Sequence, residues 1–346
     1  MSTVKPTSPW KATPKDRLRD GLIFLATAVL TFGIVEATPL KGKLAYFVLF
    51  FILYAIATGV LSFVKYGRMT AKDSAVKVFI AAGALLTILP IFSILATIIS
   101  KGYKGIKLNI FTSDMSMATP TDPLTNGGLL HAIVGTLILV AVALVLSVPI
   151  GILTALYLTE IKGRFTTPIR FLVQAMSGVP SIVAGLFILS AVIYPITKEN
   201  SGFMGSLALT ILMIPTVART SEEVLNLIPQ DLREAGTALG GTQWRTVAMI
   251  VLPAAKSGLI TAMILGVARI AGETAPLLLL TGGGDRINGN PFSDPMGSLP
   301  FYIWKAFNAG SEEAITRAWA GLLVLVLLVL ILFTTARFLS TRKVSR

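Results

Sequence analysis

The chain has 346 residues, 54% of them hydrophobic and 14% charged, with a mean hydropathy of +0.78. This excludes an ordinary soluble domain and identifies an all-α polytopic membrane protein, because apolar runs recur at lengths that cross about 30 Å of hydrocarbon. The net charge of +13 is not a nucleic-acid footprint, since the basic residues gather between apolar runs, and zero cysteines with one histidine exclude disulfides, thiolate sites and a histidine-built centre.

Eight spans are predicted, near residues 21–38, 44–64, 78–100, 130–157, 169–194, 203–218, 258–280 and 319–338. The basic tail with Lys5, Lys11, Lys15, Arg17 and Arg19 is expected in the cytoplasm. An even number of spans returns Arg337, Arg342, Lys343 and Arg346 to the same side. The loops with Lys65, Arg68 and Lys72 and with Lys162 and Arg164, and the 219–257 segment, then also fall inside. Loops 101–128 and 281–318 fall outside, with Lys101, Lys104 and Lys107 opposing that placement. Residues 1–37 also read as a signal peptide, with small residues around Ala37; Glu36 and Pro39 fit a span end turning into a hairpin as well. The organisation is therefore a tail at 1–20, a hairpin extension at 21–75 and a core at 76–346.

His131 opens span four and is expected at the interface, a proton relay being the lesser reading. Pro180 and Ser181 in span five unwind the helix where it lines a pathway, or make a packing kink. In the 219–257 segment Thr220 and Glu223 fit a capping box, and a helix follows until Pro229. Asp231 and Glu234 repeat the device ahead of an apolar face of Leu232, Ala235, Ala238 and Leu239, and Gly240-Gly241 terminates it. These residues are consistent with simple capping. An apolar helix face outside the membrane also calls for a covering surface, so this is a candidate docking helix for a cytoplasmic partner. Span seven carries Arg269 near its centre and Glu273 one turn later. They form either a self-neutralising i, i+4 pair or an oxyanion site, with the Thr274 hydroxyl adjacent and Pro276 opening the helix. The Gly-rich stretch 281–300 lacks the Lys-Ser or Lys-Thr of a phosphate-binding loop and reads as a flexible surface loop. Tyr302 and Trp304 are expected in an interfacial belt.

Glu234-Ala235, Gly240, Ile250, Leu252 and Pro253 resemble the EAA loop of ABC importer permeases. Gly236 stands where that pattern has its second Ala, and predicts close packing in a helix weakened by up to about 1 kcal/mol. The segment ARIAGETAPLL at 268–278 resembles the PstA family of phosphate importer permeases. Gly127-Gly128, Gly135-Thr136, VPSIVAG at 179–185, IPTVARTSEE at 214–223 and AWAG at 318–321 match in the same order. The resemblance implies a six-helix permease core behind a two-helix extension, in the bacterial inner membrane with both termini cytoplasmic. It implies Arg269, Glu273 and Thr274 on the phosphate path, and Glu234, Ala235, Gly240, Ile250, Leu252 and Pro253 coupling to the ATPase. Implied partners are a PstC-type sister permease, a dimer of PstB-type ATPases and a PstS-type phosphate-binding protein. The chain itself is expected to be non-catalytic and to bind no cofactor, ATP-Mg belonging to the ATPase. A sulfate or molybdate permease is the alternative. An ion-coupled secondary transporter is less supported, because no inverted repeat is evident and acidic residues are scarce in the spans.

Overall fold

A computed structural model of the chain describes residues 14–39 and 42–341. Lys5, Lys11, Arg342, Lys343 and Arg346 lie outside the described residues. Among the described residues there is no β-strand, only an isolated bridge between Gly282 and Met296. Among the described residues, seven helices are long and apolar enough to cross a membrane, and a sharply bent pair makes an eighth if it forms one broken span. The chain divides into two compact units, Met1–Ala96 and Thr97–Arg346.

The first unit holds α1 (Pro14–Ala37), α2 (Lys43–Tyr66) and most of α3 (Arg68–Gly102). Phe24, Phe50 and Tyr54 interlock α1 with α2, ring centroids lying 5.1 to 6.0 Å apart. Glu36, the charge that interrupts the first apolar run, accepts a 2.6 Å hydrogen bond from the Tyr46 hydroxyl across the turn. The α2–α3 turn is made by Gly67 at φ 85°, a conformation that favours a residue without Cβ. Ser62 and Ser74 then meet across it at 2.7 Å.

After the one-turn α4 (Asn109–Thr112), the second unit is built on α5 (Leu130–Leu156), α8 (Gly202–Asn226) and α11 (Leu252–Ile270), with α14 (Glu312–Thr341) packed against α11. Leu139, Leu209, Leu212, Met213, Val217 and Ile270 form its centre. Small residues bring the helices close, as membrane helices require: a Cβ at Gly258 would lie 2.4 Å from Val224.

Span five is not one helix. It is α6 (Thr166–Ser177) and α7 (Ser181–Ile188), bent by 104° at Gly178-Val179-Pro180. Proline removes a backbone donor and drives its predecessor out of the α region, so helix geometry stops here. Of the two readings of Pro180 and Ser181, the break is far sharper than a packing kink. Span seven also ends early. α11 stops at Ile270, residues 271–274 are irregular, and α12 (Ala275–Leu280) restarts with Pro276 in its first turn. Pro276 therefore follows the opening and does not make it; its Cα lies 2.9 Å from where a Gly185 Cβ would sit. Among the described residues, three π-helical turns occur, at Tyr157–Ile161, Leu189–Thr197 and Val247–Val251. The first two close with Lys162 and Lys198 in left-handed geometry, donating to the carbonyls of Tyr157 and Ile193 five residues back.

The 281–300 loop, expected to be flexible, is pinned. The Met296 amide bonds the Thr281 carbonyl at 2.8 Å, Phe203 bonds Pro291 at 2.6 Å, and Lys305 pairs with Asp285 at 2.5 Å. Beneath it lies a cluster around α13 (Leu299–Ala309) with Met115, Leu129 and Tyr302. His131 is 2% exposed and packs edge-on against Tyr302, itself 3% exposed, so neither ring faces outward from the chain as an interfacial belt requires. Trp304 remains exposed. Arg317, also buried, donates to the carbonyls of Asp122, Pro123 and Asn126 and so holds the 119–127 turn.

Candidate functional site

Arg269 lies in the last turn of α11, not at the middle of a span, and is exposed within this chain. Glu273 sits beyond the helix end in the irregular 271–274 segment, so the two do not share a helix face. No ion pair joins them among the described residues. The self-neutralising reading is thereby overturned: the helix stops between them and removes the i, i+4 register. Thr274 stands at the end of the break, its hydroxyl 3.5 Å from the Gly272 carbonyl, at the outer limit for a hydrogen bond. Gly272 is exposed and a Cβ there would meet nothing within 4 Å. Arg269, Gly272, Glu273 and Thr274 thus border open space at an interruption of an otherwise apolar helix. A guanidinium with unspent donors offers two oxygens of a tetrahedral anion a bidentate partner.

The second candidate region is the hairpin between α8 and α11. The turns predicted to start at Thr220 are the end of α8, with Ser221 buried; Thr220 and Glu223 do not cap a new helix. α9 (Gln230–Ala238) begins after Pro229 without a side-chain cap, so Asp231 and Glu234 do not form a capping box either. Its end is as expected: Gly240 takes φ 80° and its amide bonds the Thr237 carbonyl at 2.9 Å. Gly236 packs closely, a Cβ there falling 2.6 Å from Thr246 and 2.8 Å from Ile250. Glu234, Ala235, Gly240 and Pro253 are exposed, while Ile250 and Leu252 are partly buried against the bundle. α9 leaves Leu239 uncovered, and Trp244, in α10 (Gln243–Thr246), and Met249 are also exposed.

An ion pair missed by sequence reading anchors this hairpin. Arg233 of α9 binds Glu160 in the π turn after α5, Nη2 to Oε1 at 2.8 Å and Nε to Oε2 at 3.1 Å. The same guanidinium donates to the Ile228 carbonyl at 2.6 Å and the Leu225 carbonyl at 2.9 Å. Side-chain exposure is 18% for Arg233 and 7% for Glu160, so solvent screens the pair weakly. Gln243 adds a 2.5 Å bond to the Glu160 carbonyl. The available signal was that Glu160 is the single acid in the stretch 130–161.

A bundle of long apolar helices, with an interrupted span, is the architecture of a polytopic membrane protein. The chain belongs to the family of binding-protein-dependent transport system inner membrane components, whose family model matches residues 147–345. It is 37% identical over 283 residues to the phosphate transport system permease protein PstA of Mycobacterium leprae, covering 80% of this chain and 92% of the relative. The PstA protein of Pasteurella multocida is 39% identical over 253 residues, covering 72% and 88%. In fold, the chain is similar to a bacterial ABC transporter involved in import of the acidic polysaccharide alginate, with TM-score 0.55, 16% identity, and 80% and 99% of the two chains covered.

Proposed function

We propose that this chain is a permease subunit of an ATP-driven importer of inorganic phosphate; its relatives are named phosphate transport system permease proteins. The observation that carries this reading is Arg269, exposed and without an ion pair at a helix break. A cation at the interruption of an apolar helix needs protein, water or an anion to receive it. A passing phosphate meets that demand, with the Thr274 hydroxyl as a further donor. A sulfate or molybdate substrate is not favoured by the relatives' names.

In this reading the path forms between the chain and a PstC-type sister permease, and a PstS-type protein delivers phosphate from outside. PstB-type ATPases, which hold ATP-Mg, dock on α9 and its exposed neighbours. Their closure moves the hairpin and reorients the helices around Arg269. The complex lies in the bacterial inner membrane with both termini of this chain in the cytoplasm.

The test is uptake of radiolabelled phosphate by cells expressing the complete transporter with and without this chain, in excess unlabelled sulfate. Uptake that needs the chain and ignores sulfate is expected. Arg269→Ala should lower it ~30-fold or more, the size of a lost charge-assisted hydrogen bond of about 2 kcal/mol, with the complex still assembled. Normal uptake by that variant excludes the anion role.

A further inference from the structure

The first unit contains a cavity of about 360 Å³ where the cation-bearing ends of α1, α2 and α3 come together. We propose that it binds the phosphate headgroup of an anionic phospholipid. Three cations line it, Arg19, Lys65 and Lys77, against one carboxylate, Asp20. Asp20 is already engaged by Arg19 at 2.9 Å. Lys65 and Lys77 make no ion pair or hydrogen bond among the described residues. Two ammonium groups therefore face one cavity with nothing to neutralise them.

The rest of the lining suits a headgroup with its glycerol attached. Ser62 and Ser74 share one hydrogen bond, which uses the proton of one hydroxyl and leaves the other free to donate. Thr58 and Thr70 spend theirs on backbone carbonyls and offer no donor. Ile23, Leu61 and Val78 supply an apolar wall, which a free inorganic anion would leave uncovered and a glycerol with the start of an acyl chain would fill.

Depth agrees with this assignment. Lys65 closes the apolar run of α2, and Lys77 immediately precedes that of α3, so both ammonium groups stand at the headgroup level of a bilayer. Basic pockets between span ends are where anionic headgroups bind, each Lys near the surface contributing about a fivefold gain in affinity. Only 6% of the most apolar stretches of α2 and α3 is buried within the chain, which leaves their flanks open to lipid. This inference is independent of the transport reading.

The test is native mass spectrometry of the full chain, purified in its complex and exchanged against phosphatidylglycerol or phosphatidylcholine. Wild type is expected to retain phosphatidylglycerol preferentially. Lys65→Gln with Lys77→Gln should weaken that retention by about fivefold per lysine. Lys65→Arg with Lys77→Arg keeps the charge and should keep the preference, which separates loss of the site from loss of the fold. Millimolar inorganic phosphate should not displace the lipid. Equal retention of the two lipids by wild type, an unchanged preference in the Gln pair, loss of preference in the Arg pair, or displacement by phosphate would each overturn the proposal.

Discussion

Arg269 shows how far a single residue can be read from sequence. A charge inside an apolar run is visible in the letters, and its demand for a polar surrounding follows from solvation alone. What the letters did not show is that the helix ends one residue later. The segment Ala271-Gly272-Glu273-Thr274 has only one charged residue, so the apolar pattern runs through it and conceals the break. Arg269→Lys is expected to retain a minor fraction of uptake, because an ammonium keeps the charge but loses the planar fork; phosphate uptake at saturating and limiting substrate checks it. Asp114 makes a different residue-scale prediction. It accepts from the Ser116 hydroxyl at 2.7 Å and from the Ile287 amide at 3.3 Å, tying the 113–118 turn to the pinned loop. The Ser116 hydroxyl is the main cause holding its pKa below the ordinary 3.8. A carboxylate with a depressed folded pKa stabilises above its unfolded value and loses that contribution as pH falls through the folded one. Below about pH 4 the 284–288 backbone should therefore loosen, and Asp114→Asn should loosen it at neutral pH. Limited proteolysis of the loop measures both.

Among the elements, the hairpin between α8 and α11 was the most legible, yet its first expected helix is the end of α8 and α10 was not foreseen. The periodicity of residues 220–228 is that of α8 continuing, and capping chemistry at Thr220 was a local coincidence overridden by packing of Leu225 and Ser221. The tie between α9 and α5 lies outside local reasoning altogether, because Arg233 and Glu160 stand 73 residues apart. Breaking one partner strands the other in a partly buried site, a loss of about 1–3 kcal/mol. Glu160→Arg alone and Arg233→Glu alone should each uncouple ATP hydrolysis from uptake, and the exchanged pair should recover part of it. Uptake relative to ATPase rate in reconstituted vesicles gives the readout. Glu234→Lys reverses a charge on the exposed face of α9. Gly240→Asp forces a side chain into left-handed geometry at about 1–2 kcal/mol. Both should lower co-purification of the ATPase, and unchanged co-purification with normal uptake would remove the docking assignment.

At the scale of the whole molecule, sequence reading found the helical class and the family. It missed the order imposed by tertiary contacts. The 281–300 loop looked flexible because Gly, Asn and Pro favour irregular backbone. Irregular backbone is rigid when its groups are satisfied, and here carbonyls and amides of the loop are bonded to Thr281, Phe203 and Met115. His131 and Tyr302 likewise looked interfacial because amphipathic rings near span ends usually are. The pinned loop covers them.

The π turns carry a mechanical implication for such a machine. Each winds one more residue between donor and acceptor than the α-helix does. Letting that surplus residue out into α geometry advances the helix beyond it by about 1.5 Å and rotates it by about 100°. One of the three, Val247–Val251, joins the hairpin to α11, and another, Tyr157–Ile161, carries the Glu160 that Arg233 binds. The helix leading from the hairpin into the bundle therefore contains one surplus residue, and its release into α geometry would turn the α11 side chains beyond it.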